Sequence, residues 1–442
     1  MRLPAARPGW SREFTLLWAG SATSQLGTIS AATASPLLAL ALDGSAVFAG
    51  WVAAASTLPG LLLNLPAGLI ADHIPGKRQL MMASQIIRLC NALILLLALF
   101  CSDNPQLFLI VAAAVDGICA SFYNITEITA IREIIPKDHL SSAMAKNEAR
   151  HHIALVFGRP LGGFLYGVNH TLPYFFDALT SLLALVNLGM LRDSEKTTTI
   201  SARPEFRIGP KKKKIIGPQL PTSWQLFKGD FFLRYVIAVC AGANFLFQVI
   251  ILLLIVRAQG QGYSSAQIGL LLAASGISGL AGALIAPHVM RGRSPQLAAF
   301  TCFCVWAVLV WCVWSADQAW VGLVAWGTCS FLGAHVNIAL AMYQATRVPK
   351  EVLGRVASLT KFLTSGAVPL GALCAGYAID LLGTGTTALL AAMAMSIMMV
   401  LMSRRLLVDR QLSLSRGPLS KLVTESGQVA VFSSEPPPRR DQ

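Results

Sequence analysis

Twelve apolar stretches, each long enough to cross a lipid bilayer, constrain this chain more than any other feature. They lie at about 14–41, 47–71, 80–101, 106–131, 140–167 and 172–191, and, after a polar break, at 231–256, 265–290, 296–315, 318–343, 353–379 and 384–403. A hydrocarbon core ~30 Å thick is crossed by about 20 helical residues. Inside it no water satisfies the backbone, so each segment must pair its own N–H and C=O groups as a helix. The stretches are too long and too rich in Leu and Ala for barrel strands. The expected fold is an all-α membrane protein with twelve transmembrane helices. Composition agrees where it bears on the surface: 55% of the 442 residues are hydrophobic and 13% are charged, against roughly 25% charged in a soluble domain. Such a chain cannot hydrate the surface of a soluble enzyme, and it is neither a disordered tract nor a disulfide scaffold. Its nine cysteines lie almost all inside apolar stretches, without a CxxC pair, and read as small core residues.

Charge placement orients the helices. The net charge is +14, from 35 Lys and Arg against 21 Asp and Glu. With the N-terminus in the cytoplasm, the inner tails and loops carry 29 of the 35 basic residues and the outer loops carry one, Arg257. The other five (Arg88, Arg150, Arg159, Arg234 and Lys361) fall within or at the edges of helices. Basic loops remain inside, and a miscounted helix would scramble the alternation. Arg2, Arg7 and Arg12 precede a stretch too long for a signal-peptide core, so the first stretch reads as an uncleaved helix. The expected divisions are a cytoplasmic tail 1–13, a six-helix bundle 14–191, a cytoplasmic linker 192–230, a second bundle 231–405 and a disordered cytoplasmic tail 406–442. The linker's Lys211, Lys212, Lys213 and Lys214 stand among prolines. They read as solvated chain that touches anionic lipid, not as a nucleic-acid site.

The two halves repeat. Gly50 and Ala54-Ala55-Ser56 match Gly269 and Ala273-Ala274-Ser275. Asn124-Ile125, Pro136-Lys137-Asp138 and Leu140 match Asn337-Ile338, Pro349-Lys350-Glu351 and Leu353 at an offset of 213. Pro160-Leu161-Gly162 and Gly167 match Pro369-Leu370-Gly371 and Gly376 at an offset of 209. Six helices per half give both halves the same orientation. A parallel repeat predicts two bundles related by an axis along the membrane normal, with a site between them at the midplane.

Particular motifs carry a family resemblance. Gly68-Leu-Ile-Ala-Asp72, followed by Lys77 and Arg78, resembles the first signature motif of the major facilitator superfamily, with Pro75 and His73 where that motif usually has glycine and a basic residue. The segments Ala120-Ser-Phe-Tyr-Asn124, Glu148-Ala-Arg150, Gly158-Arg-Pro-Leu-Gly-Gly163 and Pro173-Tyr-Phe-Phe-Asp177 resemble its drug-efflux branch, which includes macrolide, tetracycline and siderophore exporters. The opening Arg12-Glu-Phe-Thr-Leu-Leu-Trp18 and Gln25-Leu-Gly27 are similar to the same branch. The resemblance implies proton-coupled export of amphipathic small molecules from a bacterial inner membrane.

Ionisable groups inside a bilayer are costly, so each invites a functional reading. Asp116 lies about eleven residues into the fourth stretch, some 17 Å deep at 1.5 Å per residue. A carboxylate withdrawn from water bears a large cost for its charge, which suits it to exchange a proton. Asp116 is the proposed proton-coupling group, with Glu127 on the same helical face. A structural pair of Asp116 with Arg88, and of Glu127 with a nearby arginine, is the alternative. Tyr123 and Asn124 share that region of the helix. With Gln25, Asn64, Asn244, Gln248, Asn337 and Gln344 they form a set of hydrogen-bonding groups expected to line a cavity for an amphipathic ligand. Interhelical hydrogen bonding would account for the same residues. Glu148, Arg159 and Asp177 are expected in gating or interface contacts, with Arg159 paired to Asp177 or facing the cavity. The resemblance gives Asp72, Lys77 and Arg78 the role of a cytoplasmic gate, and Arg88 joins this set through Asp116.

No GxxxxGK[ST] phosphate loop or HExxH motif occurs, so the expected energy source is an ion gradient, with no cofactor and no metal. The chain reads as a monomer and not an enzyme, with the bilayer, protons and an amphipathic solute as partners. A uniporter or importer of a polar solute, or a siderophore exporter, is the competing reading.

Overall fold

The structure is a computed structural model, and it describes residues 12–73, 76–135, 140–191, 231–289, 294–348 and 350–415. The expected linker 192–230, the N-terminal eleven residues and the tail after 415 lie outside this set. Every described secondary element is helical. The first bundle holds α1 (Arg12–Asp43), α2 (Ala46–His73), α3 (Lys77–Cys101), α4 (Pro105–Ile134), α5 (Leu140–Val168) and α6 (Leu172–Gly189). The second holds α7 (Phe231–Gly260), α8 (Ser265–Val289), α9 (Pro295–Ser315) and α10 (Ala319–Arg347), then a continuous element Lys350–Ser415. That element is broken at Gly383, where φ is 75° and ψ is 167°. A side chain is rarely tolerated at such a φ, and glycine lets the chain reverse there without a Cβ clash. The break divides it into α11 (350–382) and α12 (384–415), which completes the twelve helices.

Among the described residues ten elements are long and apolar enough to cross a membrane, with α11 and α12 counted as one. The exception is α5, which carries Lys146, Glu148, Arg150, His151, His152 and Arg159. A helix this polar avoids lipid by burial between neighbours, and α5 is wedged between α1 and α8. Helix ends follow local chemistry. Pro105 and Pro295 open α4 and α9, where a missing N–H costs nothing. Ser294 caps α9 by accepting from the Leu297 amide at 3.3 Å. Arg257 on α7 donates to the carbonyls of Val313 and Ala316 at 3.2 and 3.0 Å, satisfying the open C-terminal end of α9.

The outer faces are apolar: Phe100 is 74% exposed and Leu381 77%. Such a surface suits hydrocarbon and not water. Four cysteines (Cys90, Cys101, Cys312 and Cys374) also lie on exposed faces, so the expectation that the cysteines are core residues holds for only part of the set.

The bundles meet along two crossings, α2 on α11 and α5 on α8. Both depend on backbone approaching backbone. A Cβ at Gly50 would lie 2.6 Å from the Ala372 carbonyl oxygen and 3.2 Å from the Cα of Gly376. A Cβ at Gly269 would lie 2.7 Å from the Arg159 carbonyl oxygen and 2.9 Å from the Cα of Gly163. The crossings are therefore equivalent, with Gly376 in the role of Gly163. That equivalence is one helical turn away from the Pro160/Pro369 sequence match, because close packing repeats every four residues along a helix. Both glycine contacts sit toward the end of the molecule that bears the α1–α2, α5–α6, α7–α8 and α11–α12 connections.

A branched side chain at Gly269 must push α8 off α5. Gly269→Val should cost about 1–3 kcal/mol, seen as a lower melting temperature of the purified protein, whereas the same change at Gly189, which has open space around it, should cost far less.

Candidate functional site

In the first bundle one guanidinium organises the buried polar groups. Arg88 on α3 is 3% exposed, and its Nη2 donates to Asp177 Oδ1 of α6 at 2.7 Å. The same guanidinium donates to Ser24 Oγ at 2.8 Å and Thr28 Oγ1 at 2.5 Å on α1. Gln85, one turn earlier on α3, also donates to Ser24 at 2.8 Å. Gly27 on α1 makes the room: a Cβ there would lie 3.0 Å from Asp177 Oδ1 and collide with Thr180.

A second carboxylate shares Arg88 more loosely. Asp116 Oδ1 lies 3.7 Å from Arg88 Nε and accepts from Asn91 Nδ2 at 3.2 Å. Asp116 is 28% exposed, whereas Asp177 is 2% exposed. Two carboxylates around one guanidinium leave one negative charge when all are ionised. In a poorly solvating interior that excess is costly, and a single proton removes it. Asp116 is the member with the weaker ion contact and the greater access.

Glu127 is held differently. Both of its oxygens accept from Arg150 of α5, at 2.5 and 2.8 Å, and both side chains are buried. This is a bidentate pair with the geometry of a fixed strut. Tyr123, between the two acids, is buried and shares a 2.9 Å hydrogen bond with Ser21 of α1, while Asn124 is exposed on the adjacent face. Gln25 meets His151 Nδ1 of α5 at 2.8 Å. Arg78 donates to the Leu188 and Gly189 carbonyls at 2.8 and 2.9 Å and caps α6, with Lys77 beside it at the start of α3. Arg159 does not pair with Asp177, whose partner is Arg88. It crosses to α8, donating to the Leu272 carbonyl at 3.0 Å and to Ser275 Oγ. The side chains of Asn64, Asp72 and Glu148 lie outside those described.

The second bundle contains a cavity of about 340 Å³ between α7, α9, α10 and α11. Asn244, Asn337, Thr360, Lys361 and Thr364 supply its polar lining, and Phe247, Trp306 and Trp326 supply apolar walls. Asn244 donates to the Thr364 carbonyl at 2.9 Å, which ties α7 to α11. Gln344 stands behind the wall, buried, donating to Thr360 at 2.8 Å. Gln248 lies one turn beyond Asn244 and outside the lining. Lys361 and Gln85 are absent from the set expected from sequence. The signal for Lys361 was its place mid-way along an apolar stretch, and for Gln85 its spacing of three from Arg88 on one helical face.

Two bundles in parallel repeat, glycine-lined crossings and polar groups at mid-depth describe a transporter architecture. Residues 17–372 match the Major Facilitator Superfamily. The chain belongs to that superfamily. This major facilitator protein is therefore a multi-pass membrane transporter. It is 26% identical over 396 residues to an MFS-type transporter of Sinorhizobium fredii, y4rN, whose activity is uncharacterised, covering 86% of this chain and 93% of that one. Among solved structures, a point mutant of the nucleoside transporter NupG aligns with a TM-score of 0.71 at 10% identity over 89% of this chain and 99% of its own. A D-xylose–proton symporter aligns with a TM-score of 0.63 at 12% identity, over 88% and 96%. A bacterial homologue of the iron transporter ferroportin, in its inward-facing state, aligns with a TM-score of 0.64 at 15% identity, over 88% and 99%. At these identities the likeness is one of fold.

The two acids of α4 in this major facilitator should respond differently to neutralisation. Glu127→Gln leaves Arg150 buried without its counter-charge and should cost about 3–5 kcal/mol. Asp116→Asn loses only the looser contact and relieves the excess charge, so its melting temperature should stay close to wild type. Thermal unfolding of the purified variants compares them directly.

Proposed function

We propose that the protein exports amphipathic small molecules across a bacterial inner membrane in exchange for protons, by alternating access between its two bundles. The observation that carries this reading is the cluster of Arg88, Asp116 and Asp177. A proton arriving at Asp116 neutralises the cluster, weakens the hold of Arg88 on α4 and frees α3 and α4 to shift relative to one another. Release of the proton on the other side restores the contact. Coupling of this kind needs a group with two stable partners, and Arg88 provides it through one tight and one loose carboxylate.

The excess of basic residues in alternate loops supports a cytoplasmic location for both termini. With that orientation the glycine crossings close the outer face, and Asp72, Lys77 and Arg78 stand at the inner face as a gate. Glu127 takes part through the pair that ties α4 to α5. Asn64, Tyr123, Asn124, Gln25, Asn244, Gln248, Asn337 and Gln344 are proposed to bind or frame the solute. A reporter protein fused within 192–230 should be active only as a cytoplasmic form; activity of an exported form would reverse the topology.

Inverted vesicles bearing the full chain test the coupling. They would be offered a labelled macrolide, an amphipathic amine and an amphipathic carboxylate. With an acidified interior, at least one should accumulate in wild-type vesicles. A protonophore or Asp116→Asn should reduce that accumulation to the level of empty vesicles. Accumulation that survives the protonophore would rule out proton exchange, and unchanged transport by Asp116→Asn would remove this residue from the coupling path.

A further inference from the structure

Lys361 is the unusual feature of the second bundle. It lies eleven residues into an element that starts at Lys350, so its Cα is some 17 Å along the helix at about 1.5 Å per residue. Asn244 on α7 and Asn337 on α10 line the same cavity at similar depth. Lys361 is exposed to this space. Among the described residues no carboxylate lies within ion-pair distance of it.

The sequence shows why. Between 231 and 405 the only acidic residues are Asp317, Glu351 and Asp380, all near helix ends. No acid of the second bundle lies at the depth of Lys361. The acids at mid-membrane all belong to the first bundle, where Arg88 holds Asp116 and Asp177 and Arg150 holds Glu127.

A second cation strengthens the field. Arg159 reaches across from α5, and its guanidinium carbon lies 5.5 Å from the centre of the Trp326 ring. Trp326 is a wall of the cavity. Among the described residues Arg159 also lacks a carboxylate partner; its bonds go to the neutral Leu272 carbonyl and Ser275 hydroxyl. A cleft lined by charge of one sign between low-dielectric walls concentrates counter-ions.

The rest of the lining suits an apolar body. The Trp306 indole N–H is already committed to the Cys329 carbonyl at 2.9 Å, so only its hydrocarbon surface is offered. Phe247 packs edge-on against Trp306 at 5.0 Å, extending that surface. The hydroxyl of Thr364 and the amides of Asn244 and Asn337 share the lining with the aromatic wall and Lys361.

We infer that this cavity binds an amphipathic organic anion, with its negatively charged end on Lys361 and its apolar body against Trp306, Trp326 and Phe247. The inference deepens the export reading and rests on it for the direction of movement. It narrows the solute from amphipathic molecules in general to those bearing a carboxylate or a similar anionic group.

Equilibrium binding to the full chain in lipid nanodiscs tests it. The probes are labelled naphthaleneacetate, its neutral amide naphthaleneacetamide and the cation naphthylethylammonium, which share one apolar body. Wild type should bind the carboxylate roughly tenfold or more tightly than the amide, as expected for a charge-assisted contact. Lys361→Gln should abolish that preference, Lys361→Arg should keep it, and Lys361→Glu should transfer it to the ammonium. Thermal unfolding of each variant shows which are folded, and the Arg and Glu variants make opposite predictions at one site. Equal binding of the three probes by wild type, or an anion preference that survives Lys361→Gln, would overturn the inference. Binding at equilibrium needs no gradient, so the result is separate from proton coupling. Anion preference without proton-driven accumulation would sink the antiport reading alone. Proton-driven accumulation of the ammonium with no anion preference would sink this inference alone.

Discussion

The bilayer interior can solvate neither a bare peptide group nor an unpaired charge, and the whole architecture answers to that limit. Backbone groups are consumed within helices, which is why every described element is a helix. Charged side chains must then find partners among those helices. The most polar helix, α5, is accordingly held between α1 and α8, while α3 and α9 can turn large apolar faces outward. The position of each helix in the bundle follows from how much charge it carries.

Association between the helices cannot come from the hydrophobic effect, since lipid is as apolar as the side chains. Close packing replaces it. Gly50 with Gly376, and Gly163 with Gly269, allow backbone to meet backbone across the two crossings that join the bundles. These crossings use small atoms and few directional bonds. Apart from the hydrogen bonds of Arg159 to Leu272 and Ser275 across the α5–α8 crossing, such an interface has few directional bonds to break when it parts and re-forms, which suits alternating access. The polar struts, by contrast, lie within the first bundle, where Glu127 with Arg150 ties α4 to α5 and Arg88 with Asp177 ties α3 to α6.

The charge asymmetry of the halves organises the functional reading. Carboxylates at mid-depth belong to the first bundle and the unmatched lysine to the second. In the proposed cycle the first bundle handles the proton and the second presents a positive cavity to the solute. An internal repeat starts both halves from one design, and substitution of a few ionisable residues is enough to divide their roles.

Much of this was readable before any coordinates. The twelve stretches follow from hydropathy alone, because the length needed to cross hydrocarbon is set by a rise of about 1.5 Å per residue. The matches of Gly50 to Gly269 and of Gly167 to Gly376 announced the repeat, and the depth of Asp116 followed from its place in the fourth stretch. Partner choice was not readable in the same way. Position along a helix sets depth, but which side chains meet depends on helix rotation and crossing, and these arise from packing between segments far apart in the chain. Only the tertiary structure placed Arg88 on Asp177, carried Arg159 over to α8, moved the crossing one turn from the Pro160/Pro369 match and brought Lys361 into a cavity with Asn244 and Asn337. The sequence by itself determined that this chain crosses a membrane twelve times in two related halves, since that depends on the one-dimensional pattern of apolar residues. Tertiary packing decided which charges neutralise one another and which stand without a counter-charge among the described residues, because that depends on distances between helices.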